Sequence, residues 1–195
     1  RSAMGNRERG AAIVADALQR AEAIGNPYAL SAAHFARGIL AYTQWRLTDA
    51  ERELHESEAV LMGANANVSW ELTTGRLFRY FSAIAGGRYR SALHDLAEHR
   101  EDARRRRDAY ATAVLGTACA AFQQLAVDQP EGAHRSLDEA LDGWPAEPFL
   151  LPHLLQRVTR ACVYAYEGRF AEADELGMAT YKSAKRAGLL RHQIN

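Results

Sequence analysis

Apolar residues recur every three or four positions through four stretches of the chain. The sets are Phe35, Ile39, Tyr42; Leu77, Tyr80, Phe81, Ile84; Ala118, Ala121, Phe122, Leu125; and Val158, Ala161, Cys162, Ala165. This spacing places each set on one face of an α-helix turned towards a core. It predicts helices over 29–45, 68–86, 108–127 and 149–167. Between and after them lie more polar stretches with sparser apolar residues. These predict a second kind of helix over 48–62, 89–106, 130–143 and 170–187, with Leu54, Leu96, Leu137 and Leu176 as core anchors. A further helix of this second kind is expected over 8–24, ended by Asn26-Pro27. Pro130 falls where a helix starts and its missing N–H costs little, and Gly188 falls where the last helix stops.

The two kinds of helix alternate with a near-constant spacing. Four segments align: Trp45-Arg46-Leu47-Thr48-Asp49-Ala50, Gly87-Arg88-Tyr89-Arg90-Ser91-Ala92, Asp128-Gln129-Pro130-Glu131-Gly132-Ala133 and Gly168-Arg169-Phe170-Ala171-Glu172-Ala173. Their final alanines are separated by 42, 41 and 40 residues. Each follows a first helix and opens a second one. A small residue there lets two helix backbones approach closely. The expected fold is all-α: antiparallel helix pairs stacked with a period of about 41 residues, four pairs plus an opening helix over 8–188. Residues 1–7 read as a tag remnant or a disordered start, and 189–195 as the truncated start of a further helix or a tail. The whole reads as a slice of a longer array.

The turns resemble those of the tetratricopeptide repeat family. Gly87-Arg88-Tyr89 with Ala92, and Gly168-Arg169-Phe170 with Ala173, are similar to that family's Gly-x-Tyr turn followed by a small residue. Pro145 after Ala140 is similar to the proline that closes a repeat. The resemblance implies a right-handed superhelix whose first helices line a groove. The period exceeds the family's usual value of about 34 residues, so the helices are longer. Within this resemblance, Val68-Ser69-Trp70-Glu71-Leu72-Thr73-Thr74, running on to Gly86-Gly87-Arg88, looks like the C-terminal helical-repeat regions of large bacterial signalling proteins. In those, the repeats follow a serine/threonine kinase or nucleotide-binding ATPase module. The resemblance therefore implies a regulatory segment of a longer cytoplasmic protein, whose partners include other domains of the parent chain.

Composition narrows the function classes. The 195 residues include 24 Lys plus Arg and 24 Asp plus Glu, so the formal net charge is zero. A neutral chain argues against general nucleic-acid binding. Thirty-eight alanines against 5 isoleucines favour helix over sheet. No run of 18 apolar residues suggests a membrane span. Cys119 and Cys162 form no disulfide framework and read as reduced core thiols. No Walker A loop, Gly-x-Ser-x-Gly elbow, His-Glu-x-x-His pair or kinase signature occurs. No catalytic residue, cofactor or metal is therefore expected. His94, Glu98 and His99 make a poor metal site without another ligand. Asp49, Glu53 and Glu56 read as a solvated acidic face, and Arg104 to Arg107 as a helix end neutralised by Glu98, Glu101 and Asp102.

One charge pattern follows the repeat. His34, Arg76 and Arg157 occupy one aligned position, Arg37, Arg79 and Arg160 a second, and Arg46, Arg88 and Arg169 a third. The third repeat breaks the series with Thr117, Ala120 and Gln129. The first two positions share a helix face. Stretches 31–45, 72–86, 109–127 and 149–166 contain no acid, whereas 48–62 carries five acids and one arginine. Two readings follow. In one, His34, Arg37, Arg76, Arg79, Arg157 and Arg160 form a basic strip that receives an acidic peptide segment of a protein partner, or a small anion. In the other they bridge to carboxylates on neighbouring second helices. The expected function is a non-catalytic protein-interaction scaffold. The alternative is a ligand-sensing domain closing on a small anionic molecule or acidic peptide.

Overall fold

The computed structural model describes residues 2–63 and 68–189, and all regular structure among them is helical. The helices are α1 (Ser2–Ile24), α2 (Pro27–Thr43), α3 (Leu47–Gly63), α4 (Ser69–Ala85) and α5 (Tyr89–Arg105). They continue as α6 (Ala109–Leu115), α7 (Ala121–Leu125), α8 (Pro130–Glu139), α9 (Leu151–Tyr166) and α10 (Phe170–Arg186). A π-helical turn, Gly116–Ala120, joins α6 to α7 as one rod. Most bounds lie within two residues of the expected ones. The exceptions are α1, which starts at Ser2, and α8, which ends at Glu139. Residues 64–67 of the expected break and 190–195 of the expected tail lie outside the described residues, as does residue 1.

Local chemistry sets the boundaries. The Asn26 side chain accepts the Ala29 N–H at 3.0 Å, and Pro27 fills the first position of α2. Asp108 accepts the Ala111 N–H at 2.9 Å and caps α6 in the same way. Four first-to-second helix turns share one construction. Trp45, Gly87, Asp128 and Gly168 have φ of 59°, 76°, 56° and 78°. The next amide then reaches back five residues: Arg46 to Ala41 O, Arg88 to Ala83 O, Gln129 to Gln124 O and Arg169 to Tyr164 O, all at 2.8–2.9 Å. This left-handed closure satisfies carbonyls that a helix end leaves open. Short turns of this kind make the flanking helices antiparallel neighbours.

The chain divides into two compact units, Arg1–Asp95 and Leu96–Asn195. In the first, α2 lies against α1 and α3, α3 against α4, and α2 against α4. In the second, the π turn and α7 lie against α8, the rod of α6, π turn and α7 against α9, α8 against α9, and α9 against α10. Each unit thus shows a first helix touching its own second helix and the next first helix.

Small residues mark the crossings. Ala50, Ala92 and Ala133 are 0, 3 and 0 % exposed, and Leu54, Leu96 and Leu137 are buried with them. Full burial of one such leucine is worth about 1.5–3 kcal/mol. A Cβ on Gly38 would stand 2.6 Å from Leu54 Cγ, so α2 needs glycine where it meets α3. In the second unit, Ala121, Ala133, Leu137 and Val163 form a dry cluster.

The fourth pair departs from expectation. Leu176 and Ala173 are only half-buried, because α10 rests chiefly on α9. Cys162 and Val158 are exposed. The core-facing stripe of α9 is instead Pro152, Thr159 and Val163. Two stripes one position apart were both compatible with helical spacing, and packing against the rod of α6 and α7 selected the one containing Val163. The expectation of two core thiols therefore holds for Cys119, which is 0 % exposed, and fails for Cys162.

Candidate functional site: a ladder of ion pairs and its cavities

The acid-free stretches of the first helices put most of their arginines on the side that meets the acid-bearing second helices. In the first unit, His34 Nδ1 lies 3.0 Å and Arg37 Nη2 3.2 Å from the carboxylate of Glu53 on α3. Arg76 Nε donates to Glu58 Oε1 at 2.8 Å, and Arg79 Nη1 donates to Glu58 Oε2 at 2.6 Å. The second fork of Arg79 reaches Asp95 Oδ2 at 2.9 Å, so this one guanidinium spans the carboxylates of α3 and α5. The Arg76 and Arg79 side chains are 4 and 14 % exposed. In the second unit, Arg160 donates to Asp138 on α8, and its other nitrogen lies 3.4 Å from His134 Nδ1. Arg157 has its guanidinium 5.1 Å from the centre of the Phe149 ring, and that ring stacks on His153.

The third aligned position works at the turns. Arg46 donates to Asp49 at 2.8 Å, Arg88 pairs with Glu51, and Arg169 pairs with Glu172 and Glu167 while lying 4.1 Å over the Tyr164 ring. Burial pushes the Glu167 carboxyl up, but hydrogen bonds from His134 and Arg169 outweigh it and hold the group below the ordinary range.

The sequence pointed to the basic members and passed over their partners. Glu53 was expected on a solvated face; it is 6 % exposed and takes His34, Arg37 and Arg52. Its burial follows from being paired, since a carboxylate leaves water only with donors around it. A signal was present: Glu53 and Asp95 each lie sixteen residues after their arginine, Arg37 and Arg79. The helix-end reading of the arginine run fits the geometry, with Arg104 3.7 Å from Glu101 and Arg105 and Arg106 at 3.5 and 3.0 Å from Asp102.

Two cavities of the first unit adjoin the chemistry described above. One, of about 320 Å³, lies among α1, α2 and α3, with Val14 and Leu18 on one wall and Arg37, Arg46, Asp49 and Arg52 on the other. Its arginines are met by Asp49 and Glu53. The other, of about 130 Å³, lies among α2, α3 and α4 and is lined by aromatic rings. Among the described residues no group of three metal-ligating side chains comes together, and no helix is long and apolar enough to cross a membrane. No family model, curated protein or solved structure matches the chain.

Proposed function

We propose that the chain is a non-catalytic protein-interaction scaffold, a tetratricopeptide-like array with a period of about 41 residues wound as a right-handed superhelix. What carries this reading is the recurrence of one turn at Trp45, Gly87, Asp128 and Gly168, each followed by a second helix whose fourth residue is an alanine. Repeats built this way present extended surfaces and reuse the same fastening in each unit. The reading places the chain as a regulatory segment of a larger bacterial cytoplasmic signalling protein, with a protein or acidic segment as its partner.

Within this proposal the six basic residues have unequal roles. His34, Arg37, Arg76, Arg79 and Arg160 already hold carboxylates of second helices, which favours the bridging reading for them. Arg157 lies against an aromatic ring rather than a carboxylate and is the residue best placed to receive an acidic segment. The test compares Arg79→Glu with Arg157→Glu, each read by thermal melting and by pull-down from a bacterial cytoplasmic extract. Arg79→Glu should lower Tm sharply. Arg157→Glu should leave Tm nearly fixed and reduce the captured protein. A wild-type chain that captures nothing would sink the scaffold reading. The arginine-lined cavity is the place for the sensing alternative, but its cations are matched by its own acids, and the scaffold reading is preferred.

A further inference from the structure

Three helices each lend the small cavity a row of side chains. Tyr28, Ser31, Ala32 and Phe35 come from one face of α2, Ser57 and Leu61 from α3, and Trp70 and Glu71 from the first turn of α4. The spacings within α2 and α3 are those that bring side chains onto one helix face. The rings at the mouth are unusually open for their size, with Tyr28 52 % and Trp70 56 % exposed. The Tyr28 hydroxyl donates to Glu71 Oε1 at 2.7 Å and ties α2 to α4 across the opening. Its hydrogen bond to Glu71 pushes the Tyr28 phenol up, so the phenol stays protonated.

The inside of the cavity is chemically quiet. Ser31 and Ser57 use their hydroxyls on each other at 2.9 Å, and Ser31 also reaches the Ser57 carbonyl at 3.0 Å. Among the described residues no lysine or arginine lines the space. An anion would meet Glu71 there. A primary ammonium pushed to the floor would find only the partly used Ser31 and Ser57 hydroxyl oxygens for its three N–H donors, and an unmet donor is costly in a desolvated place. A cation with no N–H avoids that cost, and is drawn both to ring faces and to the carboxylate. At about 130 Å³ the space suits a headgroup. Whole small-molecule sites usually begin at about 300 Å³.

We propose that Tyr28, Phe35, Trp70 and Glu71 form a binding site for a quaternary ammonium group. The site is independent of the arginine ladder and of the scaffold reading. The group is carried by free solutes such as choline and by trimethylated lysine, and the two sources share the chemistry that this pocket reads.

The test is a titration of the whole chain with choline chloride and with its neutral isostere 3,3-dimethylbutan-1-ol, followed through the indole N–H resonances. The Trp70 signal is assigned with Trp70→Phe. Choline should move that signal saturably and bind about five- to thirtyfold more tightly than the neutral isostere. Calorimetric titration, which needs no indole at position 70, should show choline weakened about tenfold by Trp70→Leu and about fivefold by Glu71→Gln, with the circular dichroism unchanged. Should Trp70→Leu fail to fold, Trp70→Phe, which keeps a ring, must retain binding, and Glu71→Gln decides. A second titration with a short peptide carrying one trimethyllysine separates the sources. Tighter binding of the peptide assigns the site to a modified protein, and tighter binding of choline to a free solute. Equal affinity for choline and its neutral isostere, a response that bypasses Trp70, or no response to either ammonium ligand overturns the proposal.

Discussion

Helix α4 and the rod made of α6, the π turn and α7 occupy matching places in the chain's helix alternation, and they solve the same packing problem in opposite ways. Helix α4 buries Arg76 and Arg79 and satisfies them with Glu58 and Asp95. At the aligned positions the other rod carries Thr117 and Ala120, both within 1 % of complete burial. Thr117 turns its hydroxyl back onto its own helix, to Ala113 O at 2.6 Å. The backbone there widens into the π turn, and all five of its residues are buried. An inserted π residue rotates the helix after it relative to the helix before it, so side chains re-aim without a loop. The comparison teaches that aligned positions of two helices can be filled by different chemistry. Charge pairing and dry small-residue packing both fill the site, but they fail differently when disturbed.

The largest effect should come from breaking the charged solution. Arg76→Ala strands a half of the Glu58 pairing in a place with little water, and should cost about 3 kcal/mol in urea denaturation. The double variant Arg76→Met with Glu58→Met should recover part of that loss, because no charge is then left without a partner: Arg79 loses Glu58 but still holds Asp95. Failure to recover would mean that Arg76 acts through its packing rather than its charge.

Next comes overpacking of the dry solution. A Cβ on Gly116 would stand 2.6 Å from the Ala140 Cβ. Gly116→Ala should therefore cost about 1–3 kcal/mol, against the usual gain when glycine is replaced within a helix. A neutral or stabilising result would show that the rod and α8 can separate freely at this point.

The two cysteines sharpen the contrast without altering the fold. Burial pushes the Cys119 thiol well up and the Cys162 thiol up as well, but the reagent can reach Cys162, which is exposed on α9, and cannot reach Cys119, which is 0 % exposed. Only the thiolate reacts, so with a thiol reagent at mild alkaline pH Cys162 should label promptly and Cys119 only through opening of the structure. Denaturant below the unfolding midpoint should speed the Cys119 reaction far more than that of Cys162. Equal rates for the two would contradict the burial of the π turn. The smallest effect is expected for Thr117→Val, about 1 kcal/mol or less, because the hydroxyl serves a local carbonyl and no partner helix.

Much of this was legible in the chain itself. Helical spacing, proline and glycine punctuation and the four aligned anchors determined the helix order and most boundaries, since these depend on neighbours within one or two turns. The basic ladder was legible as a pattern, and its chemistry was not. A fixed offset between Arg76 and Arg157 says that they occupy the same place, but whether that place faces solvent or Glu58 depends on a helix folded back beside it. The same limit explains Cys162: periodicity offers adjacent stripes on one helix, and only the neighbour across the interface selects between them. The π turn was hidden because nothing in Gly116–Ala120 interrupts the apolar helical spacing on either side of it. The aromatic cavity joins residues from three helices, as far apart in the chain as Tyr28 and Trp70. Local sequence thus determined the elements and their order. Tertiary structure decided which charges are matched, which thiol is covered and where rings converge, because those are properties of surfaces that meet only after the chain has folded.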